Sequence, residues 1–357
     1  GSGAYLQAFG VTLRTLLLFT SLAIYFWQEK AKILKFDSNK PVSAALLIVA
    51  VIGFARGLFL DNAPALVISD FLPYLFIFYY FPLTDLTRDV AWKKWCFRAL
   101  QAAILSQAIF IFFTYIGLTS GAFQLQDAYY HWYRDVASGK ITLVSYDFYR
   151  LVINEQLLLV PILLIFIYRS INNKLKAEAP YIIALLFLLS LNLTRIYLVA
   201  LGIGLLILFR REYWKRWVAV SLGSLITFLI IFSTLFIISS GGKSFGLEVF
   251  GLRLQSIIAP SLEESSKSRL LLLPGILGQI TGHSALGRGL GSTIAFSDPL
   301  VGDDINTPHY DWGYLEILAE LGLTGFIIWI IFLFRIGKKL PTRVGWQMAS
   351  FISLLII

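Results

Sequence analysis

Ten apolar stretches recur along this chain, each near the length that crosses a bilayer. They fall near 11–27, 42–59, 65–82, 98–118, 152–168, 179–193, 196–209, 217–239, 313–334 and 345–357. A hydrocarbon core about 30 Å thick requires a helix of roughly 20 apolar residues. Backbone amides and carbonyls find no water in lipid, so a spanning segment satisfies them internally as a helix or by closing a barrel. The stretches lack the period-2 alternation of barrel strands. The sequence therefore predicts an all-α integral membrane protein, a polytopic helical bundle of about ten or more transmembrane helices forming one domain over 4–357. Composition agrees: 57% of residues are hydrophobic and mean hydropathy is +0.75, beyond the apolar share of a soluble domain. The two short stretches flanking Arg195 read as a tight hairpin rather than two independent spans.

Charge is distributed by side. Of 30 Lys and Arg, 19 fall in five short connections. These are 28–41 (Lys30, Lys32, Lys35, Lys40), 83–98 (Arg88, Lys93, Lys94, Arg98), 169–179 (Arg169, Lys174, Lys176), 210–216 (Arg210, Arg211, Lys215, Arg216) and 335–343 (Arg335, Lys338, Lys339, Arg343). The connections between them carry few: none in 60–64, three in 119–150 and five in 240–312. This alternation follows the positive-inside rule, so the basic connections are expected in the cytoplasm and the long loops 119–150 and 240–312 outside. The net charge of +9 is then orientation, not a nucleic-acid footprint. On this assignment the first span runs from outside to inside, so either the N-terminus is outside or a further helix precedes it. Gly1-Ser2-Gly3 is set aside as a cloning remnant, and the apolar run at Ile357 is expected to continue.

With sides assigned, Arg14, Arg56, Asp70, Glu155 (beside Gln156) and Arg195 fall in the outer parts of their spans. Ionisable residues in a membrane cost about 3 kcal/mol or more at its centre and tend to line cavities or pathways. The alternative is that they snorkel to the interface or pair, Arg56 with Asp70 for example. Transporters carry their charges and broken helices near the midplane. Their absence there points to chemistry or binding at one face. The single cysteine, Cys96, excludes internal disulfides and multi-cysteine metal clusters. His131, His283 and His309 are too scattered for a zinc motif, and no Walker lysine or DxD pair occurs. Asp303-Asp304 reads as a solvated turn.

The run from Ser265 to Gly325 is too polar to cross a bilayer as a whole. It holds Arg269, the turn GHSALGRGLG (282–291) with Arg288 inside it, His309, and DWGYLEILAELGLTG (311–325). Cations, a histidine and a glycine turn on one water-facing loop suit an anionic substrate. Gly282, Gly287, Gly289 and Gly291 follow no strand and sit in no βαβ unit, so they read as a turn that lets backbone approach a head group. Arg269 has a plainer alternative, the polar face of an interfacial helix. The segment AYYHWYRD (128–135) reads as an interfacial aromatic belt ahead of a sugar-stacking surface.

Three of these pieces resemble the bacterial O-antigen ligase and O-antigen polymerase family, membrane glycosyltransferases of the GT-C type. LSLNLTRIYLVALGIGLLIL (189–208) is similar to the family's apolar hairpin with Ser/Thr-Arg at its turn. SKSRLLLLPGILGQITGHSALGRGLG (266–291) is similar to its Arg, helix and Gly-x-Gly-x-Gly segment. HYDWGYLEILAELGLTGFIIW (309–329) is similar to its closing motif ending in Glu-Leu-Gly. The likeness covers roughly 180–335. Counting back from Glu320-Leu321-Gly322, the family's His position holds Asp311 and its Asn position holds Trp312, while His309 stands two residues earlier.

The resemblance implies transfer of a glycan from undecaprenyl diphosphate to an acceptor hydroxyl on the periplasmic face of the bacterial inner membrane. The periplasmic loop 240–312 would form part of the active site. Arg195, Arg269 and Arg288 would bind the diphosphate, with Arg195 and Arg269 meeting at the head group and Arg269 also stabilising charge on the leaving group. His309 or Asp311 would take the proton. The sugar–diphosphate bond supplies the energy, so no metal and no cofactor is expected. The Asp311-Trp312 variant leans toward a polymerase, with another lipid-linked glycan as acceptor; a ligase would use lipid A-core. The reading from another class is a flippase or transporter of lipid-linked glycans, and a non-enzymatic lipid-glycan scaffold is a third.

Overall fold

The computed structural model describes residues 7–8, 11–28, 40–79, 89–137, 139–259, 264–297, 304–307, 310, 312–339 and 345–356. Among the described residues, apolar helices lie within the expected stretches. Four are long and apolar enough to cross a membrane: Pro41–Phe59, Val90–Thr119, Arg211–Ser239 and Gly313–Lys338. The others are shorter, at Leu16–Gln28, Pro64–Tyr79, Gln156–Asn172, Ala177–Asn192, Arg195–Leu208 and Gly345–Ile356.

In chain order the helices are α1 (Leu13–Gln28), α2 (Lys40–Phe59), α3 (Pro64–Leu75), α4 (Val90–Thr119), α5 (Leu159–Arg169), α6 (Leu175–Asn192), α7 (Arg195–Leu208), α8 (Trp214–Ser239), α9 (Leu247–Ile258), α10 (Glu264–Gly282), α11 (Gly313–Lys339) and α12 (Gly345–Ile356). The chain is predominantly helical, in keeping with the expected all-α class. Among the described residues three short two-stranded antiparallel hairpins also join the helices: β1–β2 (Gln7–Ala8, Val11–Thr12), β3–β4 (Gly139–Ser145, Phe148–Ile153) and β5–β6 (Ile294–Ser297, Asp304–Thr307). The described residues of 240–312 include α9, α10 and the β5–β6 hairpin.

The chain divides into two compact units. One comprises Gly1–Phe19, Asp89–Ile257 and Leu340–Ile357, and the other Thr20–Arg88 and Ile258–Lys339.

In the first unit, α8 packs along α6, and α7 packs against α5 and α12. The β3–β4 hairpin closes through Tyr146 and Asp147 at φ 47° and 55°, the doubly left-handed turn that matches strand twist. Ile141, Phe148, Leu151 and Ile153 form its buried side. Phe148 stacks on Phe236 with centroids 5.0 Å apart, and the buried Tyr115 hydroxyl donates to Leu235 O at 2.7 Å. Between helices in lipid, close packing of this kind rather than water exclusion supplies the attraction. The expected hairpin at Arg195 is present: α6 ends at Asn192, Leu193 turns at φ 46°, and α7 begins on Arg195.

In the second unit, α11 packs along α2, α3 packs on α2, and α10 contacts both α11 and β5. The helix α11 is not continuous. It breaks at Gly322, where φ is 67° and ψ is −174°. That break was not expected from the sequence. It falls nine residues into the helix, and its exposed backbone groups define the partner that fills it.

Candidate functional site

The glycine turn supplies that partner. Interrupting a helix frees carbonyls before the break and amides after it. Arg288 N donates to Ala319 O at 2.8 Å and Gly289 N to Glu320 O at 2.9 Å. In return Leu323 N donates to Ser284 O at 2.9 Å and Thr324 N to Ala285 O at 3.2 Å. The turn is therefore stapled across the break by four backbone hydrogen bonds. The approach is so close that a Cβ on Gly322 would collide with Gly287 N and Ala285 O. Gly289 lies equally tight on the backbone of Gly57, and its φ of 88° is left-handed.

Polar side chains from α2, α3 and the connection between them complete the hold. Arg56 donates its Nε to Gly287 O at 2.6 Å. Asn62 donates its Nδ2 to Leu290 O at 2.9 Å and to Arg288 O at 3.4 Å. Leu290 N donates to Gly53 O at 3.0 Å. Gly291 N donates to two carboxyl groups, Asp70 Oδ2 and Glu320 Oε1, each at 3.0 Å. Arg56 and Asp70, for which cavity lining and snorkelling or pairing were both open, address the glycine turn.

Beyond Gly291 a second buried cluster fixes the approach to α11. Tyr310, 1% exposed, shares a hydrogen bond with Ser292 Oγ at 2.5 Å and donates to Gln279 Oε1 at 3.1 Å. Gln279 Nε2 donates to Ser292 Oγ at 2.8 Å. Burial pushes the Tyr310 phenol up to about 12, so it stays neutral across the physiological range. Two residues on, Trp312 donates its Nε1 to Arg269 O at 3.4 Å. The backbone carrying Arg269 is thereby tied to the start of α11.

Of the residues singled out in the sequence, Arg269 and Arg288 are exposed on the second unit, Arg269 on α10 and Arg288 within the stapled turn. His309 and Asp311 lie outside the described residues; Tyr310 and Trp312 beside them are anchored as above. Arg195 belongs to the first unit, where it is partly buried and donates Nη1 to Ser256 O on α9 at 2.9 Å.

One cation at that hairpin escaped the sequence reading. Arg150, on β4, donates Nε to Asn192 O at 2.6 Å and Nη2 to Thr194 Oγ1 at 2.9 Å. Asn192 in turn donates Nδ2 to Gln156 Oε1 and accepts from Thr194 Oγ1. The turn before Arg195 is thus held by a second guanidinium. The alternation of KITLVS and FYRLVI around Tyr146-Asp147 was the available signal for the hairpin that places it.

Residues 180–330 match the family model described as Wzy_C, O-antigen ligase. The match covers less than half of the chain and supports its likeness to the O-antigen ligase/polymerase family. No curated protein and no solved structure matches the chain significantly.

Proposed function

We propose that the chain is a membrane glycosyltransferase that moves a glycan from undecaprenyl diphosphate to an acceptor hydroxyl at the periplasmic face of the inner membrane. The observation that carries this reading is that one family domain, 180–330, contains Arg195, Arg269, Arg288, His309 and Asp311 together. Guanidinium forks match phosphate oxygens in two-point hydrogen bonds and keep their charge at any working pH. Arg195, Arg269 and Arg288 are assigned to the diphosphate.

The acceptor oxygen bonds to the anomeric carbon as the bond from that carbon to the phosphate oxygen breaks. Negative charge grows on the departing diphosphate, and Arg269 opposes it; electrostatic stabilisation of this type is commonly the largest catalytic contribution. His309 or Asp311 accepts the acceptor's proton. The bond being broken supplies the driving force, so the scheme calls for neither nucleotide nor metal.

Asp311-Trp312 favours a polymerase, and the family's own description favours a ligase. Purified protein given an undecaprenyl-diphosphate oligosaccharide alone separates them. Longer glycans formed without any lipid A-core support polymerisation; transfer only when lipid A-core is added supports ligation. No transfer under either condition, with labelled lipid-linked glycan instead crossing vesicle membranes, would replace both with the transporter reading.

A further inference from the structure

The helix α4 is longer than a membrane requires. Its 30 residues extend about 45 Å, whereas a hydrocarbon core about 30 Å thick takes roughly 20 residues. Its apolar stretch begins at Arg98, and from there to Thr119 the helical rise is about 32 Å. Arg98 therefore stands at the edge of the hydrocarbon. Residues 90–97 continue the helix through the head-group level, on the side assigned to the cytoplasm.

One side of this extension is used by the fold. Phe97 packs on Phe166 of α5 with centroids 5.5 Å apart, and the Arg169 guanidinium lies 4.2 Å from the Phe97 ring centroid. That cation is satisfied within the first unit, donating Nε to the buried Glu178 at 2.7 Å. Away from Phe97, the side chains of Trp92, Lys94, Trp95 and Arg98 are exposed, Trp95 by 68%. Among the described residues no ion pair or hydrogen bond reaches the head of Lys94 or of Arg98. Lys94 and Arg98 are one turn apart at i and i+4, and Trp92 and Trp95 at i and i+3, so two cations and two indoles stand side by side. Toward the membrane the row below Trp95 holds only the small exposed Ala99, Ala102 and Ser106 before bulk resumes at Ile109.

We propose that this end of α4 binds an anionic glycerophospholipid of the cytoplasmic leaflet. Its phosphate lies against Lys94 and Arg98, the indoles flank its ester level, and an acyl chain descends past Ala99 and Ala102. The head-group contacts carry the assignment; the small residues only leave room for the chain. Orientation by basic connections needs charge alone, not two unpaired cations one turn apart framed by indoles. A zwitterionic lipid brings a cation of its own, which this pair repels. An acidic soluble partner cannot reach Arg98 at the hydrocarbon edge, whereas a lipid phosphate sits at that depth. The proposal is independent of the glycan chemistry above.

The single cysteine gives the test its reporter, since Cys96 is exposed in the same turn. The intact protein carries a bimane on Cys96 in nanodiscs, and phosphatidylglycerol or phosphatidylcholine with a nitroxide high on one acyl chain is titrated in as quencher. A basic residue near an anionic head group is worth about fivefold in affinity. Two cations sharing one phosphate should therefore favour phosphatidylglycerol about tenfold. Lys94→Gln combined with Arg98→Gln should reduce that preference to about twofold. Lys215→Gln combined with Arg216→Gln removes the same charge from the exposed start of α8 and should leave it unchanged. Raised salt should shrink the preference of the parent protein, a readout that needs no variant to fold.

Equal quenching of the parent by both lipids would overturn the assignment, as would a preference that survives the Lys94 and Arg98 changes or ignores salt. An equal fall with the Lys215 and Arg216 changes would overturn it too, because the preference would then belong to the charge of the whole cytoplasmic surface.

Discussion

Replacing Gly322 by alanine should disable the second unit in a way its small size belies. The residue occupies φ 67°, ψ −174°, a region open almost only to glycine, and holding another residue there costs about 1–3 kcal/mol. The added methyl also meets the backbone of Gly287 and Ala285, which cannot rotate aside as a side chain would. Relieving that clash separates the turn from the helix break and strains the four hydrogen bonds that staple them. Each is worth about 1 kcal/mol net, and losing two is a conservative outcome. The expected destabilisation is about 4 kcal/mol. Reversible unfolding in mixed micelles with increasing dodecyl sulfate measures it directly. Gly278→Ala is the matched control: it lies within α10, its Cβ would meet nothing within 4 Å, and removing a helical glycine should stabilise by up to about 1 kcal/mol. A Gly322→Ala variant within about 1 kcal/mol of the parent would refute the staple.

Other expectations follow from single contacts. Arg150→Lys keeps the charge but cannot make both bonds to the α6–α7 turn, so the donor KM should rise about tenfold with kcat changed far less, read by steady-state kinetics. An equal fall in kcat would contradict a positioning role. Tyr310→Phe removes a phenol bonded to Ser292 and Gln279 and should cost about 1–3 kcal/mol in unfolding titrations. Its phenol is raised from 10.0 to about 12, so its contribution is fully present below pH 10 and lost as pH climbs through 12. The Phe variant should lack that alkaline loss, and an unchanged slope would count against it. Cys96 is exposed near the start of α4, among Lys93, Lys94 and Arg98, so an impermeant maleimide should label it in inverted vesicles and not in intact spheroplasts. Labelling in spheroplasts would reverse the assigned orientation.

The apolar helices were legible because lipid imposes one length and one backbone solution, and hydropathy reports both. Glycines 287, 289 and 291 were legible as a turn for a similar reason, since few other residues adopt its conformation. The break in α11 was not. Glu320-Leu321-Gly322-Leu323 carries no proline, and the groups that compensate its lost hydrogen bonds sit in residues 284–289, invisible to any local window. Asp70 stood out as a charge and Glu320 as part of the Glu-Leu-Gly motif, but not as joint acceptors for Gly291 N, a pairing made only by tertiary structure. Arg150 was missed because a six-residue strand of mixed polarity resembles an irregular loop when no partner strand is sought. The match over 180–330 agrees with the family likeness carried by the hairpin, the glycine turn and the Glu-Leu-Gly motif.

The interruption at Gly322 also bears on what moves. Where a membrane helix is split, the carbonyl pole of one half and the amide pole of the other face each other, a pair of opposite dipole ends that ion-coupled carriers use to cradle travelling ions. Here two carbonyls and two amides of those poles are already satisfied by residues 284–289 of the same unit. A passing sodium ion or anion would have to evict covalently tethered backbone to reach them. The split is better suited to holding a loop still than to letting cargo through.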